Sequence, residues 1–318
     1  RVLTCKIAHL IELGVDPFNI LALTFTNKAA AEMRHRIEAL VGADARSLWM
    51  GTFHSIFARI LRIEAPKLGY PSNFTIYDTD DSKSLIKSII KEMELDDKIY
   101  KPAMVLNRIS SAKNNLISWE SYQNNVELIE RDKFSRMPLV NEIYQKYQAR
   151  AFKAGAMDFE DLLYNTNLLF KNYLDVLNKY QHKFKYILVD EYQDTNYSQY
   201  LITKKLAAVH RNLCVVGDDA QSIYAFRGAT IQNILNYEKD YPECEIIRLE
   251  QNYRSTKVIV EAANSIIKRN KKQIEKNVWT ENPTGDFIDV LKAASDNEEG
   301  RLVAQSIFEE KVQSSKKN

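Results

Sequence analysis

The sequence predicts an α/β fold, in which a parallel sheet with helices on both faces is interrupted by an inserted all-helical subdomain. Short apolar runs alternate with amphipathic segments near both ends of the chain, a pattern typical of parallel strands joined by helices. The middle of the chain has helix patterns and almost no strand pattern. We therefore divide the chain into 1–78 (sheet domain, first part), 79–155 (helical insertion), 156–282 (sheet domain, second part) and 283–318 (start of a second domain).

The N-terminal part contains two strand–helix units after an opening helix. Residues 1–13 are amphipathic and predict the opening helix. The run ILALTF (20–25) predicts a buried strand, and Asn27 begins the helix that follows it. Residues 48–51 predict a second strand, and Thr52 begins the next helix.

After the helical insertion, strands and helices alternate again. YILVD (186–190) and LCVVGD (213–218) are apolar on both faces, as central parallel strands are, and EIIRLE (245–250) is predicted as a third strand. FIDVLKA (287–293) predicts one more strand and 297–312 one more helix. Polar residues follow several of the strands. Ligands of doubly wound sheets bind beyond the carboxyl ends of the strands, so we expect the functional site there.

The composition excludes several classes of protein. The three cysteines, Cys5, Cys214 and Cys244, are far apart in sequence and predict neither a disulfide framework nor a zinc site. No apolar run reaches membrane-spanning length, and the N-terminal segment has no signal-peptide pattern, so we expect a cytoplasmic protein. The net charge is only +2, so a nucleic-acid-binding surface has to be local.

The segment ILVDEYQDTN (187–196) carries the strongest chemical signal. A buried strand ends there in two carboxylates, Asp190 and Glu191, which need a cation or a polar cleft. In a nucleotide hydrolase, the first would hold Mg²⁺ through its water ligands and the second would polarise the attacking water. A hydrophobic run followed by Asp-Glu also fits a strand that ends at a solvated turn; the extension YQDTN favours the catalytic interpretation.

Five stretches together resemble the UvrD/PcrA/Rep helicases of superfamily 1, in the family's order. They are LALTFTNKAAAEMRHRI (21–37), GTFHSIFARIL (51–61), DEYQDTN (190–196), VVGDDAQSIYAFRGA (215–229) and LEQNYRS (249–255). The resemblance implies a RecA-like sheet of the P-loop NTPase type, with the helical subdomain called 1B inserted in the first RecA-like domain. It also implies ATP and Mg²⁺ as cofactors. The implied activity is an ATP-dependent 3′-to-5′ helicase on single-stranded DNA and duplex junctions, acting in repair or replication.

The resemblance adds four residues to the two carboxylates of the nucleotide site. Gln221 is expected at the γ-phosphate or the attacking water, and Arg254 at the γ-phosphate, which suits the planar, permanently charged guanidinium. Tyr253 is expected to stack on adenine, and Arg1 on its other face. A disordered chain end is the alternative for Arg1.

The same resemblance assigns single-stranded DNA binding to nine residues. Aromatic side chains stack on bases, and helix N-termini and cations contact phosphates. Four of these residues also have a structural alternative: Lys28 as a solvated helix charge, His54 as a packed histidine, and the aromatic pair Tyr224 and Phe226 as core residues. The family usually has Trp at position 226, and Phe still stacks there. The nine are Thr24, Phe25, Asn27, Lys28, Thr52, His54, Tyr224, Phe226 and Arg227.

The sequence contains no phosphate-binding loop of the form G-x-x-x-x-G-K-T, and the dipeptide Gly-Lys does not occur in it. In the family this loop directly precedes a segment like RVLTCKIAHLI, so we expect the chain to start just past it and to stop within the second RecA-like domain. We therefore expect no significant ATPase from these 318 residues. The alternatives are a non-catalytic single-stranded-DNA-binding module, the helicase subunit of a helicase–nuclease complex, or a structural ATP-binding switch.

Overall fold

The computed structural model describes residues 1–225, 228–271 and 273–315, in two compact units, Arg1–Cys244 and Glu245–Asn318. The strands are β1 Ile20–Thr24, β2 Trp49–Thr52, β3 Thr75–Ile76, β4 Ala156–Met157, β5 Tyr186–Val189 and β6 Leu213–Val215. The helices of the first unit are α1 Val2–Glu12, α2 Asn27–Val41, α3 Phe53–Glu64, α4 Thr79–Glu92, α5 Pro102–Asn114, α6 Trp119–Tyr122, α7 Val126–Phe134, α8 Val140–Lys153, α9 Phe159–Asn172, α10 Leu174–Lys183, α11 Tyr197–Ala207, α12 Gln232–Leu235 and α13 Tyr237–Asp240. Those of the second unit are α14 Lys257–Ile267 and α15 Asp296–Ser315.

The first unit is built on a four-stranded parallel sheet of order β2-β1-β5-β6. All five residues of β1 are buried, since β1 has a strand on each side and helices on both faces. Helices α1 and α2 pack on one face through Ile7 and Ile37, whereas α3, α9 and α10 cover the other. The predicted parallel α/β sheet is therefore confirmed.

The chain passes from the sheet domain into the helical insertion, and back again, through one two-stranded sheet. Strands β3 and β4 pair in parallel, with Thr75 opposite Ala156, and α4 to α8 lie between them in the chain. These helices have a core of their own, which includes Ile86, Ile109 and Tyr147. A separate core is why the segment can form an all-helical body within a sheet domain.

The second unit departs from the sequence prediction. Residues 245–250 and 287–293 form no strand in the part of the chain that is described, so both strand predictions are wrong, whereas the C-terminal helix is confirmed as α15. Phe287 is 91% exposed and Val290 is 88% exposed, so these apolar side chains are not buried. A strand needs a partner for its backbone hydrogen bonds, and apolar patterning alone does not supply one. The second compact unit begins at Glu245, so residues 245–282 belong to the same unit as the residues that follow them. The division predicted from the sequence instead placed the boundary after residue 282.

Candidate functional site

Three strand ends meet at the carboxyl edge of the sheet and carry the predicted catalytic pair. The Asp190 amide donates to the Leu23 carbonyl at 2.9 Å, which ties the end of β5 to β1. On the other side, the Val216 amide donates to the Val189 carbonyl at 2.9 Å, and the Tyr192 amide donates to the Val216 carbonyl at 2.9 Å. The two carboxylates therefore follow a central strand flanked by neighbours, at the sheet edge where doubly wound folds bind ligands.

The environment of the pair favours a cation. Burial, then the negative charge of Glu191, raises the pKa of Asp190, and a hydrogen bond from the Glu191 backbone acts in the opposite direction. A divalent ion beside Asp190 would counter both effects that raise its pKa. In the described residues, no group of three or more His, Cys, Asp or Glu side chains could hold a metal ion. The two carboxylates fit an ion that takes its remaining ligands from nucleotide phosphates and water.

Glu191 has a left-handed backbone, with φ +51° and ψ +46°. This conformation costs a non-glycine residue about 1 kcal/mol or more, and such costs concentrate at functional sites. The conformation bends the chain from β5 into the 3₁₀ turn Tyr192–Asp194. Strain is therefore located at the residue expected to polarise the attacking water.

Gln193, which the sequence analysis did not single out, connects the carboxylate pair to the end of β6. Its Nε2 donates to Glu191 Oε2 at 2.8 Å, and its Oε1 accepts from the Asp218 amide at 3.0 Å. Gly217 lies against it, since an added Cβ would stand 2.6 Å from Gln193 Oε1. The only signal for this role in the sequence is an amide residue among the acidic residues of 190–194, because its partner Asp218 is distant along the chain.

Gln221 lies on the same side of the sheet edge. Its Nε2 donates to Asp218 Oδ2 at 2.8 Å, while Asp218 Oδ1 accepts from the Ala220 amide at 3.0 Å. Together with the bridge made by Gln193, these bonds join Glu191 and Gln221 through Asp218 in one continuous polar network. Of the four residues expected to act in hydrolysis, the structure links Glu191 and Gln221 through this network. Asp190 directly precedes Glu191 in the chain, and Arg254 belongs to the second unit.

The remaining nucleotide residues stand at exposed positions. Tyr253 is 78% exposed and donates from its hydroxyl to Gln251 Oε1 at 2.6 Å, and the Arg254 amide donates to Asn252 Oδ1 at 2.9 Å. Both residues belong to the second unit. Arg1 is exposed at the start of α1, where its carbonyl accepts from Thr4 Oγ1 at 2.7 Å.

Two helices begin directly after strands of the sheet, as expected for phosphate-binding termini. The Thr26 hydroxyl accepts from the Ala29 amide at the start of α2, and Asn27 and Lys28 are exposed on that first turn. The Thr52 hydroxyl accepts from the Ser55 amide at the start of α3. Unfulfilled N–H groups at both helix starts provide donors for an anion.

The predicted base-contacting residues lie near these helix starts. Phe25 and Tyr224 have ring centroids 5.8 Å apart, and His54 stands edge-on to Phe159 at 5.8 Å. Burial lowers the pKa of His54 to about 4, so its ring is neutral at pH 7. Thr24 is buried and donates to the Thr26 carbonyl, so its side chain shapes the turn.

Two predicted DNA residues, Phe226 and Arg227, lie outside the described residues. A cavity of about 690 Å³ opens beside Thr24, Phe25 and His54, between the sheet domain and the helical insertion. Among the residues that the structure describes, no helix combines the length and apolarity needed to cross a membrane.

Comparison with known proteins bears on the same segments. Residues 1–242 match the model of the UvrD/REP helicase N-terminal domain, and residues 247–318 match that of the UvrD-like helicase C-terminal domain. The chain is 48% identical over 309 residues to the ATP-dependent DNA helicase PcrA of Staphylococcus epidermidis and to that of Staphylococcus aureus. Each alignment covers 97% of this chain and 42% of the relative, so the chain spans about two-fifths of the length of these relatives. With both domain models matched in order, the chain belongs to the UvrD/REP helicase family.

Proposed function

We propose that the protein to which this chain belongs is an ATP-dependent DNA helicase that moves 3′-to-5′ on single-stranded DNA and opens duplex junctions, in the cytoplasm, during repair or replication. The observation that carries the proposal is the polar network at the sheet edge. It links Glu191 through Gln193 and Asp218 to Gln221. Three residues beyond Gln221, Tyr224 packs on Phe25, so the segment that contacts the nucleotide continues into an aromatic pair suited to bases.

In this proposal the sheet edge binds ATP. Asp190 would hold Mg²⁺ through water, and the bound ion would neutralise the phosphates and lower the barrier to γ-phosphoryl transfer. Glu191 accepts a proton from the attacking water, and Gln193 fixes the orientation of its carboxylate. Gln221 and Arg254 contact the γ-phosphate, while Tyr253 and Arg1 stack on adenine.

Single-stranded DNA would run past the starts of α2 and α3. Asn27, Lys28 and the helix N-terminus capped by Thr52 would hold phosphates. Bases would meet Phe25, with its neighbours Thr24, His54 and Tyr224 and with Phe226 and Arg227 of the same motif. We also infer that α4 to α8 form subdomain 1B, within 79–155, and that 283–318 belong to the second RecA-like domain.

The decisive experiment is a Glu191→Gln substitution in the whole protein. The loss of a general base lowers turnover by roughly 100- to 10,000-fold, so the DNA-stimulated ATPase should fall by that factor while DNA affinity is retained. A conservative Glu38→Gln change on the exposed side of α2 is the matched control. An unchanged ATPase in Glu191→Gln would overturn the assignment of the site.

For the 318-residue polypeptide by itself we propose DNA binding without significant ATPase. It has no G-x-x-x-x-G-K-T loop, whose Lys and Thr would contact the phosphates and Mg²⁺, yet it contains the residues that we propose to contact DNA. A labelled oligonucleotide should bind with the same anisotropy midpoint with or without ATP, and Phe25→Ala should weaken it. Steady-state turnover near that of a full-length motor would refute this part of the proposal.

A further inference from the structure

The turn that carries Glu191 is fixed at its start and within itself. At its start, the Asp190 amide donates to the Leu23 carbonyl of β1 at 2.9 Å. Within the turn, Thr195 Oγ1 donates to the Tyr192 carbonyl at 2.7 Å. A left-handed backbone at a non-glycine residue persists only where the surrounding structure holds it in place. The contacts of the residues that end the turn therefore bear on the position of the Glu191 carboxylate.

One anchor for the end of the turn comes from the segment 230–233, which follows β6 in the chain. The Thr195 carbonyl accepts from the Thr230 amide at 3.0 Å and from Asn233 Nδ2 at 2.9 Å. Thr195 is 1% exposed and Asn233 is 7% exposed, so water does not compete for these bonds. This anchor belongs to the sheet domain itself, whereas the next residue along the turn is held by the helical insertion.

Asn196 joins the turn to the helical insertion. Its Nδ2 donates to Oδ1 of Asn114, the last residue of α5, at 2.9 Å. Its other polar groups begin α11, because its Oδ1 accepts from the Gln199 amide at 2.9 Å and its own amide donates to Gln199 Oε1 at 2.9 Å. Asn196 is buried. Its side chain therefore cannot turn to another partner without losing the cap of α11.

Asn114 is itself held firmly where it accepts this bond. Lys113, which precedes it, is wholly buried in ion pairs with two carboxylates at the start of α9. On the other side lies Gly228, since a Cβ added there would stand 3.8 Å from Asn114 Cβ and 3.9 Å from Asn196 Cβ. The end of α5 is thus a fixed acceptor, 82 positions away in sequence, that sets where Asn196 lies.

We propose that Asn114 is a positioning residue for ATP hydrolysis. It holds Asn196, and Asn196 holds the end of the turn that carries Glu191, so the helical insertion contributes to turnover without contacting the nucleotide. The inference rests on the ATPase proposed above and adds a control of its rate by the insertion. Position 114 supplies an acceptor, so the role needs an oxygen atom there and not the whole amide group.

The test measures the steady-state ATPase of the whole protein against ATP concentration, at saturating single-stranded DNA. Asn114→Ala removes the acceptor and should lower kcat about fivefold with KM for ATP unchanged, the factor that corresponds to one neutral hydrogen bond of about 1 kcal/mol. Asn114→Asp keeps an oxygen at the same place and should restore most of kcat. The matched control is Gln148→Ala, which should leave kcat unchanged. Gln148 Nε2 donates to Asp161 Oδ1 at 3.4 Å, a contact between the insertion and the sheet domain that does not involve residues 190–196.

Two further measurements separate positioning from contact with DNA, because Asn114 also lines the cavity beside Phe25. The DNA-free ATPase of Asn114→Ala should fall by the same factor, since the bond to Asn196 holds the turn whether or not DNA is bound. The DNA concentration for half-maximal stimulation should equal that of the wild type.

Three results would overturn the positioning role while leaving the proposed function intact. They are an unchanged kcat in Asn114→Ala, a change confined to the DNA concentration for half-maximal stimulation, and an Asn114→Asp variant as slow as Asn114→Ala. A wild-type protein that hydrolyses no ATP in the presence of DNA would overturn the proposed function as well.

Discussion

Replacing Lys113 by methionine should destabilise the protein strongly, because this cation is wholly buried between two carboxylates. Its Nζ lies 2.7 Å from Asp158 Oδ2 and 2.8 Å from Asp161 Oδ1, and its side chain is 0% exposed. The Tyr147 hydroxyl donates to the same Asp158 oxygen at 2.8 Å. Lys113 belongs to α5 of the insertion and the two aspartates to the start of α9, so the cluster fastens the insertion to the sheet domain.

The magnitude follows from what the substitution leaves behind. Methionine is close to lysine in length and fills the space, so the main loss is electrostatic. Removal of one partner from a buried ion pair costs about 3–5 kcal/mol, since the remaining charge stays in a poorly solvated interior. Burial lowers the pKa of Lys113 but the two carboxylates raise it more, and its net pKa lies well above the ordinary value. Lys113 is therefore charged at neutral pH, and its loss exposes Asp158 and Asp161 to mutual repulsion.

The loss should depend on pH with a defined sign. Without the cation, burial and repulsion raise the folded-state pKa of the aspartates above the unfolded value. The destabilisation is then complete above the folded-state pKa and disappears as pH falls below the unfolded-state value, about 3.9. The difference between wild type and Lys113→Met should therefore shrink on acidification from pH 7.

Urea unfolding of both proteins at pH 7 and at pH 5 measures these differences. Lys67→Met is the matched control, because Lys67 also pairs at 2.7 Å, with Asp175, but with side chains that are 38% and 67% exposed. An exposed pair contributes at most about 1 kcal/mol. If the two variants lose the same free energy of unfolding, the cluster does not stabilise the joint and the reasoning is refuted.

Three further outcomes follow from the site. Gln193→Leu should lower the free energy of unfolding by about 2 kcal/mol, because the Glu191 carboxylate and the Asp218 amide both lose their bond; urea denaturation measures it, and a neutral result contradicts the bridge. Glu191→Gly should be about 1 kcal/mol more stable than Glu191→Ala, because both variants lose the bond from Gln193 Nε2 and only glycine adopts φ +51° without strain; urea denaturation measures the difference, and equal stability of the two variants would exclude stored strain. The pKa of His54 is lowered to about 4, so as pH falls from 6.5 to 4 the unfolded chain takes up a proton at this ring before the folded chain does, and up to roughly 3 kcal/mol of the free energy of unfolding is lost. His54→Asn should therefore flatten this part of the curve of unfolding free energy against pH. Parallel curves for the variant and the wild type would disprove the reasoning.

The sequence alone determined the parallel sheet domain and the place of its two adjacent carboxylates. Strands such as 186–189 are apolar on both faces, and only a central parallel strand buries both. Asp190 and Glu191 follow such a strand directly, so their place at the sheet edge was fixed by local order. The helical insertion was visible for the same reason, because its periodicity is a local property of 79–155.

Tertiary structure decided what depends on residues distant in sequence. The bond between Gln193 and Asp218 joins positions 25 apart, and the cluster of Lys113 with Asp158 spans 45, so no local pattern announced either. The same reason explains the failed strands in 245–250 and 287–293. Side-chain alternation records a preference for extended backbone, but a strand forms only where another chain segment accepts its hydrogen bonds, and that pairing is a property of the fold.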